Sequence, residues 1–304
     1  MRGLGGGTRE EGAGGGGRAQ ARPGPAVRVG CQGWNYEDWV TPPASPSPVF
    51  YPRGTRAAEM LTAYARAFDT VEVDSTFYAV PSEGAVEGWR RRTPDGFTFS
   101  LKLPQEITHE HALRGAEARR VLAEFCARAR LLGDKLGAVL VQLPPQFEAT
   151  PDNARALREF LPALPADIRF AVEFRDTFWF EEEMLEPLTR HEQVSLALVE
   201  GRWAARERVW RAAAAILRPT DFAYLRWMGE RDLEAFDRVV RPRDRNLELW
   251  AAAAERLSRR VGAVFAYFSN FYEGHAPESA NKLKRLLGQE TVGAAELEDQ
   301  PSLF

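Results

Sequence analysis

A short apolar stretch that ends in a charged or amide residue recurs about eight times between Val27 and Asn270. Side chains alternate between the two faces of a strand, so each stretch separates its apolar residues from its polar ones. The clearest examples are 70–78, 97–104, 138–145, 170–176, 223–227 and 264–270. Helical segments separate the stretches at steps of about 30 residues, which predicts parallel strand pairing. The pattern therefore predicts an α/β fold, a single TIM-like (β/α)₈ barrel that gathers its polar groups at one mouth.

The barrel is expected to span residues 27–288, close to the length of about 250 residues that is typical of this fold. Residues 1–26 are mostly Gly, Arg, Ala and Pro, which predicts a disordered leader or a start codon assigned too far upstream. Residues 289–304 are acidic and aperiodic, which predicts a flexible tail. The Pro-rich loop 41–54 is long enough to act as a lid. Helices are predicted at 56–68, 83–92, 115–132, 152–161, 180–190, 204–216, 231–239, 246–260 and 277–287.

Composition excludes several classes of protein. The formal net charge is −3, and no run of Lys or Arg is dense enough to form a nucleic-acid footprint. Cys31 and Cys126 lie far apart, which argues against a disulfide framework or a thiolate metal site. No apolar stretch approaches the roughly 18 residues of a membrane helix, and the N-terminus lacks the apolar core of a signal peptide. The chain is therefore expected to be cytoplasmic and to make no membrane contact.

Five charged residues at the predicted strand ends form the strongest chemical cluster: Glu72, Asp74, Lys102, Glu173 and Arg175. Paired carboxylates beside a Lys and an Arg can separate their pKa values, so that one carboxylate acts as a base and the ammonium acts as an acid or an electrostatic clamp. The alternative is an ion-pair network that only plugs the barrel. Because burying this many charges is costly, the cluster favours catalysis.

His109 follows the third predicted strand and is within reach of the same mouth. It is a candidate general acid, general base or metal ligand, and the alternative is a loop histidine that caps a helix. The chain has four histidines and no His-Glu-x-x-His spacing, so an imidazole-rich zinc site is not expected. No cofactor is predicted, although a divalent ion such as Mg²⁺ or Mn²⁺ on Glu72, Asp74 and Glu173 remains open.

The ends of strands seven and eight suggest an anion site. Arg226 and Asn270 lie there, and Pro277 suits the first turn of a helix whose amides would face a phosphate or carboxylate near Gly274. The alternative is a plain Gly-rich turn with Arg226 paired to Glu173. Gln142, at the end of strand four, is a further substrate-binding candidate.

Aromatic residues crowd the predicted mouth, and rings beside polar groups can stack on a sugar face or a base. They predict a small anionic substrate with a planar or ring-shaped part. Trp34, Tyr78 and Trp179 are the candidates chosen for stacking. The remaining rings of this set are Tyr36, Trp39, Phe77, Phe178, Trp227, Phe271 and Tyr272.

Several long motifs, in the same order along the chain, resemble the YecE-like proteins, known as domain of unknown function 72. They are GCQGWNYEDW (30–39), FYP (50–52), TVEVDSTFY (70–78), FTFSLKLPQEITH (97–109), KLGAVLVQLPPQF (135–147), VEFRDTFW (172–179) and FSNFYEGHAPESANKL (268–283). The resemblance implies a TIM-like barrel and brings no reaction with it. This chain has Met228 where the resemblance leads one to expect a His after strand seven, and Val199 and Glu200 where strand six often ends in Asp.

The chain ends in Gln300, Pro301, Ser302, Leu303 and Phe304. These residues resemble the clamp-binding peptide of bacterial replication and repair proteins, in which a Gln enters a polar pocket and Leu and Phe enter a hydrophobic cleft. The resemblance implies that Gln300, Leu303 and Phe304 bind the DNA sliding clamp. The alternative is a tail whose Leu and Phe pack back onto the barrel.

Three functions follow. The first is an enzyme, a hydrolase, lyase or isomerase, that performs acid/base chemistry on a small anionic ring compound such as a sugar phosphate or nucleotide. The second is a clamp-recruited, metal-dependent nucleic-acid-processing protein. The third is a barrel that binds a ligand without turnover. Oligomeric state is not predicted.

Overall fold

The computed structural model describes residues 27–201, 206–216 and 220–299. Eight parallel strands pair in chain order and close on themselves, which confirms the (β/α)₈ barrel. The strands are β1 Val27–Gln32, β2 Thr70–Val73, β3 Thr98–Lys102, β4 Leu136–Gln142, β5 Phe170–Glu173, β6 Val194–Glu200, β7 Phe222–Trp227 and β8 Ala263–Phe268. The helices are α1 Ala57–Ala67, α2 Glu83–Arg91, α3 Gly115–Arg130, α4 Pro151–Phe160, α5 Glu182–Leu185, α6 Arg206–Ile216, α7 Asp244–Ser258, α8 Asn270–Glu273, α9 Ala276–Leu286 and α10 Ala294–Asp299. The predicted leader, residues 1–26, lies outside the described ranges.

The barrel interior is filled in layers by alternate residues of the strands. Its lower part holds an apolar cluster that consists of Ala138, Leu140, Ala171, Ala197, Phe222, Tyr224, Phe265 and Tyr267. Hydroxyl groups fill the remaining space. Tyr267 Oη lies 2.7 Å from Thr70 Oγ1 and 2.8 Å from Ser100 Oγ. Above this layer the strand ends carry charged and amide side chains. The register places Gln32 beside Glu72, and Gln142 beside Glu173.

The helix predicted at 231–239 is wrong, because residues 228–243 connect β7 to α7 without a helix. Individual contacts hold this segment instead. The Phe236 ring meets Tyr36 and Phe271 edge-on, and its N–H donates to Asp38 Oδ2 at 3.0 Å. Backbone donors that a helix would satisfy internally are thus satisfied by other segments.

The helix predicted at 180–190 is also much shorter than expected. Only Glu182–Leu185 is α-helical, and 3₁₀ turns precede and follow it. Pro187 lies in the first turn of the second 3₁₀ segment. Proline has no N–H to donate, which explains why the α-helix does not continue.

Part of the predicted flexible tail packs against the barrel. Leu297 of α10 is fully buried in a contact with α1, and Arg53 donates to Glu298. Gln289 Nε2 donates to Val27 O at 2.8 Å. The single buried leucine in an acidic stretch is too weak a periodic signal to predict this packing. Gln300, Leu303 and Phe304 lie outside the described ranges.

The Pro-rich loop 41–54 is anchored where it leaves and rejoins the barrel. Thr41 N–H donates to Tyr51 O at 3.0 Å, and Tyr51 N–H donates to Trp39 O at 2.7 Å. Phe50 and Tyr51 are buried. Across the described parts of the chain, no helix has both the length and the apolar character needed to cross a membrane.

Candidate active site

Arg226 lies at the centre of a buried ion-pair network at the end of β7. Its Nε and Nη2 atoms donate to the two oxygens of Glu72 at 2.9 and 2.6 Å, and its Nη1 atom donates to Glu173. Tyr224 Oη donates to Glu72 at 2.7 Å, and Arg175 Nε donates to Glu173 at 3.1 Å. Two carboxylates and two guanidinium groups therefore form an electrically balanced floor below the mouth. We refer to Glu72, Glu173, Arg175, Tyr224 and Arg226 as the ionic floor.

Within the ionic floor, Glu173 and Arg226 hold each other in their charged forms. Burial opposes ionisation of Glu173, yet Arg226 and Arg175 more than offset it and lower the pKa of this carboxyl. Burial likewise opposes the charge of Arg226, but Glu173 and Glu72 hold the pKa of the guanidinium above its ordinary value. A carboxylate that keeps its charge and accepts bonds from arginines is a poor proton shuttle. The geometry thus favours the structural interpretation for Glu72, Glu173 and Arg226.

Asp74 and Lys102 differ from the ionic floor because neither side chain forms a hydrogen bond or ion pair with any other residue in the described ranges. Asp74 follows β2 directly and is half-buried. Lys102 ends β3, is 9% exposed, and places Nζ 3.9 Å from the centre of the Phe77 ring. A carboxyl and an amine without protein partners are therefore present together at the mouth.

Both groups titrate near neutrality. Burial and the nearby charge of Glu72 raise the pKa of Asp74 to about 6, against a smaller opposing effect of Lys102. Burial and the positive charge of Arg226 lower the pKa of Lys102 to about 8. A general acid or base works best when its pKa lies near the operating pH, so this pair is suited to exchange protons with a substrate.

Thr76 fixes the position of Lys102 relative to Asp74. The Lys102 N–H donates to Thr76 Oγ1 at 2.9 Å, and the same hydroxyl donates to Lys102 O at 2.8 Å. Thr76 and Phe77 belong to the 3₁₀ turn Ser75–Phe77, which begins immediately after Asp74. One turn therefore carries the carboxyl, holds the backbone of the lysine and supports its amine.

His109 lies beside this pair on the π-helical turn Glu106–Glu110. Its Nδ1 atom is 2.8 Å from Thr108 Oγ1, and its ring meets Phe77 edge-on at 4.9 Å. Burial, with the charges of Lys102 and Arg175, lowers the pKa of His109 to about 4. The imidazole is accordingly neutral at pH 7, which suits a hydrogen-bonding role better than the donation of a proton.

Exposed rings flank the mouth at the ends of β2 and β5. Tyr78 is 73% exposed and Phe178 is 67% exposed. Trp179 is instead fully buried, stacked on Phe147 and Phe174, with its Nε1 atom donating to Phe147 O at 2.7 Å. The structure therefore corrects Trp179 from a stacking candidate to a core residue and indicates Phe178 in its place.

The sequence contains a signal that could have indicated Phe178 instead of Trp179. Asp176 caps the 3₁₀ turn Thr177–Phe180 by accepting from Phe178 N–H at 3.2 Å. The capped turn replaces the strand geometry here, so the alternation of the preceding strand no longer determines which of Phe178 and Trp179 faces the mouth. Trp34, the third candidate, is partly buried and meets Trp89 edge-on at 6.1 Å.

At the start of α9, where an anion site is predicted near Gly274, the first N–H group already has a partner. Asn270 Oδ1 accepts from Ala276 N–H at 3.0 Å and from Trp39 Nε1 at 3.1 Å. Ala276 and Asn270 are both buried. Asn270 Oδ1 thus joins the β1 loop to α9, while its buried Nδ2 atom has no hydrogen-bond partner among the described residues, so its role in substrate binding stays a prediction. Gln142 is 3% exposed and lies in register with Glu173 at the edge of the ionic floor.

The two departures from the family pattern have structural explanations. Met228 Sδ accepts a hydrogen bond from Gln32 Nε2 at 3.1 Å across the barrel. Glu200 accepts from Asn246, at 2.9 Å, and from Trp250, and so attaches α7 to the end of β6.

In the part of the chain that the structure covers, no three His, Cys, Asp or Glu side chains are grouped to hold a metal ion. Glu72 and Glu173 already accept from Arg226. A divalent ion on these glutamates would have to displace a guanidinium, so the oxygen-ligand arrangement that Mg²⁺ requires is not present in this geometry.

Fold and site together define a TIM barrel whose mouth holds an amine and a carboxyl above a buried ionic floor. The chain belongs to the family described as protein of unknown function DUF72, whose model matches residues 28–302. It is similar to the YecE protein of Escherichia coli strain K12, with 30% identity over 180 residues, which cover 58% of this chain and 60% of that protein. It is also similar to the YunF protein of Bacillus subtilis strain 168, with 26% identity over 291 residues, which cover 88% of this chain and 97% of that protein.

Solved structures of the same family share the fold. A DUF72 family protein from Thermotoga maritima has a TM-score of 0.70 and 26% identity, and the match covers 87% of this chain and 100% of that one. A DUF72 family protein from Enterococcus faecalis has a TM-score of 0.65 and 20% identity, and the match covers 87% of this chain and 98% of that one. The family resemblance of the motifs is thereby confirmed.

Proposed function

We propose that this protein is an enzyme that uses Asp74 and Lys102 for acid/base chemistry on a small anionic compound with a ring-shaped part. The observation that supports this most directly is the pair itself, a carboxyl and an amine without protein partners among the described residues, both with pKa values near neutrality. A structural network pairs its charges, as the ionic floor does. Groups left without partners at the mouth of a barrel are better explained by a substrate.

Charge at the mouth supports an anionic substrate. Lys102, Arg175 and Arg226 lie at the strand ends, and Arg231, in the segment 228–243, is close enough to influence the pKa of both Asp74 and Arg175. These four cations face three carboxylates, those of Glu72, Asp74 and Glu173. When Asp74 takes up a proton the positive excess grows, so an anion is attracted most strongly below pH 6.

Exposed Tyr78 and Phe178 support the ring-shaped part of the substrate. Large aromatic side chains gain stability when they are covered, and a planar ligand can stack on them. A sugar phosphate or a nucleotide combines both features. The ionic floor, Gln142 and His109 would shape the site from below and from the side.

A thermal-shift screen tests this proposal. Sugar phosphates, nucleotides and organic acids should be compared at pH 5.5, 7 and 8.5. A ligand at 100 times its dissociation constant adds about 2.7 kcal/mol of stability and moves the midpoint by several degrees. We expect the shift to weaken as Asp74 ionises near pH 6 and again as Lys102 loses its proton near pH 8. A screen in which no anion raises the midpoint at any pH would count against the proposal.

Clamp recruitment is the second candidate function, and the sequence Gln300, Pro301, Ser302, Leu303, Phe304 is what favours it. Deleting residues 300–304 is expected to abolish capture of the protein by a bacterial sliding clamp, since the Gln and the two apolar side chains supply the contacts. Surface plasmon resonance with immobilised clamp measures this. The matched control replaces only Pro301 and Ser302 by Ala and should bind as the parent does. Equal binding of the deletion variant would exclude the motif.

A further inference from the structure

Lysine is rare in this chain, which has four lysines among 40 Lys and Arg residues. Three of the four amines have protein partners. Lys135 Nζ donates to Arg90 O, Thr93 O and Thr93 Oγ1, Lys282 Nζ donates to Asp244 and Glu273, and Lys284 Nζ donates to Ala67 O. Lys102 Nζ forms no hydrogen bond or ion pair with another residue of the described ranges. The amine without a partner is therefore the one at the mouth of the barrel.

An arginine would serve better than this lysine if only charge were needed at the end of β3. Guanidinium stays protonated, offers more donors and is the side chain that the ionic floor already uses twice. What an amine adds is the ability to lose its proton and attack an electrophile. Burial and the cation of Arg226 favour the neutral form of Lys102, while the Phe77 ring, 3.9 Å from Nζ, holds the amine in position.

We infer that Lys102 forms an imine with the carbonyl group of a small anionic aldehyde or ketone, an inference that rests on the proposed function and narrows its substrate class. The Nζ atom attacks the carbonyl carbon, and the carbonyl oxygen takes up a proton to give a carbinolamine. The C–O bond then breaks as the C=N bond forms. One amine and one carbonyl thus give one imine and one water, without any oxidant or reductant.

Asp74 is the group that can move the protons of this step. Its carboxyl is held at the start of the turn that also holds Lys102 through Thr76. In its protonated form it can donate to the departing hydroxyl, and in its ionised form it can take a proton from the attacking amine. A pKa of about 6 allows both forms at neutral pH. Sugar phosphates fit the site because they combine a ring, an anion and, in the open-chain form, a carbonyl.

Reductive trapping tests the inference. The full-length protein is incubated with ribose 5-phosphate and cyanoborohydride, and each lysine is then monitored by peptide mass mapping. We expect saturable labelling of Lys102, about tenfold faster than that of Lys282, because the pKa of Lys102 is lowered, whereas Asp244 and Glu273 raise the pKa of Lys282 against the effect of burial. Lys102→Arg should keep the charge and lose the adduct. The matched control Lys284→Arg should label at Lys102 as the parent does, and Asp74→Asn should slow labelling.

Formaldehyde with the same reductant measures whether the amine is accessible. If ribose 5-phosphate raises the melting midpoint and formaldehyde labels Lys102, yet no sugar adduct appears there, the imine is wrong and the acid/base proposal stands. Failure of formaldehyde to reach Lys102 would overturn the imine directly. Labelling spread evenly over the lysines would also overturn it. If no anion in the screen binds and no adduct forms, the proposed function and the imine are both wrong.

Discussion

Replacing Arg226 by Met is expected to lower the free energy of unfolding by about 3–5 kcal/mol, because it removes the cation from two buried carboxylates. Glu72 and Glu173 are 0% exposed, and between them they accept three bonds from this guanidinium. Urea unfolding followed by circular dichroism measures the change. This loss of stability should shrink at low pH, where the carboxylates left without a cation can take up protons.

The matched control is Arg169→Met, which breaks the pair between Arg169 and Asp221 on the surface. The side chains of that pair are 37% and 61% exposed, so its loss should cost no more than about 1 kcal/mol. A second variant, Glu72→Gln combined with Arg226→Met, should recover part of the lost stability by removing one stranded charge. Equal losses for Arg226→Met and Arg169→Met would show that the ionic floor does not stabilise the barrel.

Replacing Lys102 by Met is expected to reduce turnover by roughly 10²–10⁴-fold while the fold is retained. The amine forms no hydrogen bond or ion pair in the described ranges, so its removal loses only its contact with the Phe77 ring. The pKa of Lys102 is lowered in the folded state, so the charged amine opposes folding at pH 7. This destabilisation disappears as the pH rises from about 8 to above the pKa of the same lysine in the unfolded chain. Stability at pH 7 should therefore rise by about 1–3 kcal/mol.

Turnover is to be measured on the ligand that the thermal-shift screen identifies, with urea unfolding in parallel. Lys102→Arg serves as the control that keeps a positive charge but cannot give up its proton at neutral pH. It should bind the anion and fail to turn it over. A large loss of stability in Lys102→Met, or full activity in Lys102→Arg, would contradict the assignment.

The barrel itself follows from sequence because each strand repeats the same alternation and each repeat adds independent support. Strand β5 shows this directly, since Phe170 and Val172 pack outward while Ala171 and Glu173 point into the barrel. The segment 228–243 shows the limit of such reasoning. Its apolar residues have a helix-like spacing, yet Phe236 is held by rings from two other loops, and those contacts depend on the closed barrel.

The sequence predicts which residues form the candidate site, but it does not predict which charges pair with each other and which side chains remain without partners. Alternation placed Glu72, Lys102, Glu173 and Arg226 in one layer, but which charges pair depends on side-chain reach across the barrel, as when Arg226 spans from β7 to β2 and β5. The partner-free state of Lys102 and Asp74 follows only after those pairs are assigned. The burial of Trp179 and the contact of Asn270 with α9 do not follow from strand alternation, because their partners, Phe147 O and Ala276 N–H, lie in other segments of the chain.

The turn at residues 74–77 has a consequence for how this chemistry could be transplanted. It carries the carboxyl of Asp74, and through Thr76 and Phe77 it holds both ends of Lys102 on the next strand. These two strand exits form a single module. A protein engineer who grafted Lys102 alone would move an amine without its alignment, whereas a graft of residues 74–77 together with residue 102 would carry the reactive geometry intact.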